Sequence, residues 1–210
     1  MYLSMKITSL TQQKNNPHRY NLEVDGEFKK GISDTMVLEF GLREGKEISK
    51  EELRKVITSE DQNKVKDKAL ELLGRRLHSR RELEIKLEKK DYPEEQIERT
   101  LDKLEKEGYL DNLEFAKELV KLRQERSPKG SIYLKKELYQ KGIPEEVIEK
   151  VIAEEYPLAR EIEIAEIVLK KKAKSLRGLD FKEKREKLKQ FLIQRGFQFE
   201  VIGEVMNNLE

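Results

Sequence analysis

The sequence predicts a mainly α-helical protein: three tandem three-helix repeats in an elongated, curved array, preceded by a small N-terminal β-rich module. Three observations lead there. From about residue 61 apolar side chains recur at three- and four-residue spacing, as in Ala69, Leu70, Leu73, Leu77 and again in Ile97, Leu101, Leu104, the stripe of an amphipathic helix. One pattern then returns three times: LEKKDYPEEQIERTL from Leu87, LYQKGIPEEVIEKVI from Leu138 and LIQRGFQFEVIGEVM from Leu192. Residues 1–48 follow neither the helical period nor the repeat, and contain instead short alternating runs around an Asp-Gly pair.

The N-terminal elements come first. Met5 to Leu10 alternate loosely, and Tyr20, Leu22 and Val24 fall on one face of a second run. Asp25-Gly26 follows directly, a dipeptide suited to the left-handed residues of a tight hairpin, with Glu27 to Ile32 as the return strand. Thr35 to Phe40 reads as a short helix capped by Ser33 or Asp34 and stopped at Gly41. Ser49 and Glu52 form a capping box that opens a further helix over Ser49 to Ile57.

Each copy of the repeated pattern carries the same physical roles. Lys90, Lys141 and Arg195 place a cation at a helix C-terminus, where the dipole favours it. Asp91, Gly142 and Gly196 follow at the position that takes a left-handed backbone. Tyr92, Ile143 and Phe197 are the apolar residues after the turn; Pro93 and Pro144 pre-set the next helix, with Gln198 in the third copy. Ile97, Ile148 and Ile202 then fall on the buried stripe, as do Leu101, Ile152 and Met206. A further helix precedes each copy, over Val65 to Leu77, Leu113 to Gln124 and Leu158 to Lys172, so each unit reads helix, helix, turn, helix. The expected boundaries are 1–48 for the β-rich module, 49–61 for a helical linker, and 62–108, 111–155 and 158–208 for the three repeats, which neighbouring units stabilise by stacking.

Charged residues make up 41% of the chain and the net charge is only +2, so the distribution of charge carries more information than its sum. Three basic blocks stand at matching places, between the first and second helices of each unit. Arg75, Arg76, Arg80 and Arg81 surround His78 without an acid. Arg123, Arg126, Lys129, Lys135 and Lys136 have Glu125 alone among them, and Lys170, Lys171 and Lys172 begin a run that reaches Arg177 with no acid. A single charge run is usually a solvated face. Threefold recurrence in stacked units would align the blocks into a cationic stripe able to meet phosphates or an acidic protein surface. Replacing Arg75, Arg76, Arg80 and Arg81 by Ala is then expected to weaken binding and leave the fold intact. Tyr109, Tyr133, Tyr139 and Tyr156 lie near helix ends, where packing explains most of them better than base stacking.

Several chemistries find no support. Cysteine is absent, which removes disulfides and thiolate sites and favours a reducing compartment. The sequence shows no signal peptide or membrane span, and the cytoplasm is the expected location. His18 and His78 are the only histidines, far apart in sequence, and no phosphate loop, metal-ligand spacing or nucleophile motif accompanies them. The chain reads as a non-enzyme needing no cofactor or metal. Helix-turn-helix recognition of DNA is disfavoured because the helices after the turn open with Pro93-Glu-Glu and Pro144-Glu-Glu, carboxylates that phosphates repel.

The first unit, ALELLGRRLHSRRELEIKLEKKDY from Ala69, resembles the RecX family: a helix ending in Leu73 and Arg76, a Ser79 cap, Glu82-Leu83, Leu87, then Lys89-Lys90. GYLDNLEFAKELVKLR from Gly108 is similar to the family's Gly-Tyr-Leu-Asp-Asp segment, with Asn112 in place of the second Asp and keeping its capping role. Gly130, KKELYQKGIPEEVI from Lys135 and GLREGKEIS from Gly41 add further matches. The resemblance covers most of the chain and consists of many moderate matches in order; the third unit matches more loosely. It implies a monomeric regulator that binds the RecA recombinase filament and its DNA and modulates strand exchange and ATP hydrolysis, most simply by inhibition, in recombination, DNA repair and the SOS response. The alternative from the residues alone is a stand-alone, non-specific nucleic-acid-binding repeat protein.

Overall fold

The computed structural model describes residues 4–208. Four strands and ten helices are present among them, divided into two compact units. One holds residues up to 74 with 87–102; the other holds 75–86 with 103 onward.

The first unit begins with β1 (Met5–Gln13), β2 (Asn16–Val24) and β3 (Glu27–Ser33), which with the later β4 (Glu47–Ile48) are joined antiparallel in the order β3-β2-β1-β4. The hairpin forms where Asp25-Gly26 places it. Both residues have positive φ, +54° and +80°, as a turn matching the strand twist requires. Asp25 Oδ1 also accepts from the Lys6 amide at 2.8 Å, and the Gly26 amide donates to Thr8 Oγ1 at 2.9 Å, so the turn is bonded back onto β1. Ile7, Leu22, Val24 and Ile32 form the buried face of the sheet.

The short helix α1 (Asp34–Glu39) has Ser33 at its N-cap, but the serine side chain does not cap it. That hydroxyl donates instead to Glu60, at 3.0 Å. The strand β4 (Glu47–Ile48) pairs with Met5 and Lys6; two residues are too few for an alternating pattern to reveal.

The helix α2 (Lys50–Leu73) starts with the expected capping box, both halves formed. It then runs unbroken through residues 61 and 62, where the linker was expected to give way to the first repeat, and ends at Leu73 rather than Leu77. No Gly or Pro interrupts it before Gly74, so nothing breaks the backbone bonding. Its inward-facing side chains serve two neighbours in turn. Leu53 and Val56 close the sheet's core; Gln62 donates to the Gln96 carbonyl at 2.8 Å and to Thr100 Oγ1 at 2.6 Å. Between them Glu60, 1% exposed, accepts from Arg19 at 2.8 Å and from the Ser33 amide at 2.9 Å. A buried carboxylate with several donors is what makes such a charge tolerable.

The remaining helices are α3 (Arg80–Glu88), α4 (Glu94–Lys106), α5 (Asn112–Arg126), α6 (Ser131–Gln140), α7 (Glu145–Glu155), α8 (Leu158–Lys174), α9 (Phe181–Gln194) and α10 (Phe199–Asn207). They group as helix triplets, and the triplet turns are equivalent. Asp91, Gly142 and Gly196 all adopt the left-handed backbone, with φ of +60°, +74° and +75°. After the turn the Ile143 amide reaches the Leu138 carbonyl, and Phe197 the Leu192 carbonyl, both at 3.2 Å. This is the bond that closes a helix C-terminus around a left-handed residue. The cap of α5 is Asp111, whose carboxylate accepts from the amides of Leu113 and Glu114; Asn112 is the first helical residue, not the cap.

Within the second unit neighbouring triplets meet in the same way twice. The start of α3 sits on the α6–α7 turn, where Ser79 Oγ donates to the Lys141 carbonyl at 2.7 Å. The start of α6 sits on the α9–α10 turn, where the amides of Gly130 and Ile132 donate to the carbonyls of Arg195 and Gly196 at 2.9 and 3.1 Å. This second joint is the closer. A Cβ on Gly130 would fall 2.2 Å from the Phe197 backbone. Glu161, fully buried, locks it by accepting from the Ser131 amide and from both the amide and side chain of Gln198.

Candidate nucleic-acid interface

The three basic blocks meet different fates. In the first, Arg76 pairs with Glu82, Arg80 with Glu105 and Arg81 with Glu84, and Arg75 also has an interaction within the protein. The Glu82 amide donates to Ser79 Oγ, while its carboxylate does not cap Ser79 in return but accepts from Arg76 and Lys141. Burial works to raise its pKa, but those two cations bring it below the usual carboxylate value. Arg76 therefore belongs to a joint between triplets, and its replacement would disturb the fold as well as the surface.

The second block is divided. Arg123 grips Glu137 through two nitrogens, and that hydrogen-bonded carboxylate raises its pKa further. Lys135 pairs with Glu149, Lys129 lies over the Tyr133 ring at 4.6 Å, and Lys136 is exposed on α6. In the third block Lys170 pairs with Glu166. A continuous stripe through all three blocks is not what these contacts make.

What remains converges. Arg126 at the end of α5, Lys171 and Lys172 near the end of α8, and Arg195 at the end of α9 line one cavity of about 580 Å³, with Phe191 on its wall. The Arg195 guanidinium lies 4.7 Å and the Lys172 ammonium 5.6 Å from the centre of the Phe191 ring. Each contact is favourable alone, but two like charges on one ring repel each other. Arg195 also donates to the Pro128 carbonyl at 2.7 Å. None of the four cations forms an ion pair with a carboxylate among the described residues, and Glu125 is the one acid on the cavity wall. The pocket thus carries a surplus of positive charge on its wall.

Sequence reasoning selected Arg126, Lys171 and Lys172 and missed Arg195 and Phe191. The sequence assigns Arg195 to the helix dipole, and its i,i+4 spacing from Phe191 is the signal that relates the two. Of the four tyrosines, Tyr156 is core, its hydroxyl donating to the Lys129 carbonyl at 2.8 Å; burial pushes its pKa well above the usual phenol value. Tyr109 and Tyr139 are exposed. No group of three side chains suited to a metal ion, and no helix long and apolar enough to cross a membrane, occurs among the described residues.

Equivalent triplets joined by a repeated contact, with a cation-lined pocket at the end of three of their helices, define a helical-repeat protein. Comparison with known proteins agrees along the chain. Residues 5–49 match the regulatory protein RecX N-terminal domain, 66–104 the first RecX three-helix domain, 111–152 the second and 159–206 the third. The chain belongs to the RecX family. The regulatory protein RecX of Clostridioides difficile (strain 630) is 32% identical over 203 residues, covering 97% of this chain and 95% of its own length. That of Bacillus licheniformis is 30% identical over 204 residues, covering 97% and 77%. A crystal structure of regulatory protein RecX superposes with a TM-score of 0.79 at 25% identity, over 97% of this chain and 99% of that one. The crystal structure of RecX from Lactobacillus salivarius gives 0.66 at 26% identity, over 72% and 97%.

Proposed function

We propose that this regulatory protein acts by binding a RecA-type recombinase on its DNA filament and restraining strand exchange and ATP hydrolysis. Family membership along the whole length of the chain carries this reading. The cavity lined by Arg126, Lys171, Lys172 and Arg195 supports it physically, since a filament on DNA offers phosphates to such a pocket. Arg126 comes from the second triplet and Lys171, Lys172 and Arg195 from the third, so two triplets contribute to one contact.

The same cavity favours a second reading, direct binding of nucleic acid without a recombinase, and salt separates the two. A pure nucleic-acid binder loses affinity for naked DNA steeply as salt rises. The proposed regulator keeps its preference for the nucleoprotein filament at salt where naked DNA is released. Co-sedimentation with filaments, together with filament length by electron microscopy, tests it. Binding and shortening of filaments are expected; equal partition between naked DNA and filaments at every salt concentration contradicts the proposal.

A further inference from the structure

We infer that the groove between α9 and α10 is a subsite for single-stranded nucleic acid, with a base stacked on Phe199 and phosphates held by Lys182, Arg185 and Lys189. The inference rests on the proposed function for its context and names the class of strand that the third triplet takes.

The groove encloses about 460 Å³ and has the three cations on its α9 wall, with Glu186 the one acid lining it. Phe199, on the α10 wall, is 76% exposed, although a phenyl ring gains by leaving water. Phe181, 64% exposed, lies beside Arg185 on its other side. Lys182 and Lys189 form no ion pair among the described residues, and Arg185 makes a single 3.1 Å bond to the Met206 carbonyl. Exposed aromatic rings interleaved with uncompensated cations match a single strand, whose bases offer π-faces and whose backbone offers charge.

Comparison with the second triplet sharpens this. By the repeat spacing, Phe199 takes the place of Glu145, Gly203 that of Glu149 and Lys189 that of Lys135. In the second triplet Lys135 is neutralised by Glu149. The third triplet has therefore exchanged two carboxylates for a ring and a glycine, and its lysine is left without an acid. Gly203 sits inside α10, where glycine is disfavoured, yet a Cβ there would meet nothing within 4 Å. Internal packing does not require the glycine; a chain approaching the helix backbone closely would.

The protein contains no tryptophan, so the full chain carrying Phe199→Trp has a single reporter. Its emission is titrated with an oligothymidylate about twelve nucleotides long, and with the same sequence as a duplex, in the absence of recombinase. Saturable quenching by the single strand and little by the duplex is expected. Phe199→Ala should weaken oligothymidylate binding about tenfold, and Lys182→Glu with Lys189→Glu at least as much, with melting temperatures unchanged because all three side chains are exposed. Equal quenching by single strand and duplex, unaltered affinity in Phe199→Ala, or no binding by the unmodified chain at low salt would each overturn the inference. Because recombinase is absent, none of these results bears on filament binding, which is measured separately.

Discussion

Positions 91, 142 and 196 perform one backbone task with different side chains. Asp91 holds φ at +60° where glycine would sit without strain, and an L-residue there is disfavoured by about 1 kcal/mol. Asp91→Gly is therefore expected to raise stability by up to about 1 kcal/mol, read as a higher urea midpoint at unchanged slope. Gly130→Ala should do the reverse: its Cβ meets immovable backbone, and a loss above about 3 kcal/mol is expected. A well-folded Gly130→Ala protein with an unshifted midpoint would show that the α6 joint is looser than its geometry. Position 198 shows what the repeat pattern can and cannot reveal. The loss of proline in the third copy was visible in the sequence. Its reason was not, because the amide that Gln198 regains donates to Glu161, 37 residues earlier. Arg195 is similar: its dipole role was legible, but its place beside Lys172 depends on packing between helices.

His78 gives a pH dependence at the same scale. It is buried, with Nδ1 3.0 Å from the Arg76 carbonyl and Nε2 2.8 Å from the Lys86 ammonium. Nε2 therefore accepts, and the neutral ring is the form that fits. Burial lowers its pKa below 6.5, joined by repulsion from the Arg76 and Lys86 charges, which the bond to the Arg76 carbonyl and the nearby Glu82 only partly offset. A group whose folded pKa is depressed contributes stability above its unfolded value and loses it as pH falls. Stability should thus decline as pH drops below about 6.5, and His78→Gln should flatten that part of the profile. Identical profiles for the two proteins would remove His78 from the account.

At the scale of elements, the period of apolar residues and the turn chemistry made the helices and the hairpin legible. The ends were less so. Ser33, Asp111 and Ser79 are all plausible caps by composition, yet only Asp111 and Ser79 bond the helix amides, because Glu60 takes the Ser33 hydroxyl. The continuity of α2 was hidden by reading Ser49 to Ile57 and Val65 to Leu77 as separate helices. Two neighbouring acids connect that helix to the sheet, Glu60 through Arg19 and Ser33 and Asp61 through Lys30. Glu60→Ala removes the acceptor of the Ser33 amide and the carboxylate that pairs with Arg19, which keeps only the Gly31 carbonyl, and about 3 kcal/mol should be lost from the N-terminal unit. Hydrogen exchange would show it as faster opening of β2, β3 and α2, with the α8–α10 amides unaffected. Uniformly faster exchange throughout the chain would mean instead that the two compact units unfold together.

For the molecule as a whole, cations that stand together in the sequence differ in whether a carboxylate neutralises them in the fold. Of the twelve candidate cations in the three blocks, Arg126, Lys171 and Lys172 alone reach the shared cavity, while several of the others are held by carboxylates that sequence spacing does not reveal. Charge reversal at Arg126, Lys171 and Lys172 should weaken filament binding and lower its salt dependence without changing the fold, whereas reversal at Arg76 or Arg123 should first lower stability. The most direct test of the central claim is ATP hydrolysis by RecA–single-stranded DNA filaments as this protein is added. Hydrolysis should fall at substoichiometric protein and recover in the Arg126, Lys171, Lys172 charge-reversal variant. A rate that stays constant when the protein exceeds the recombinase would contradict the claim.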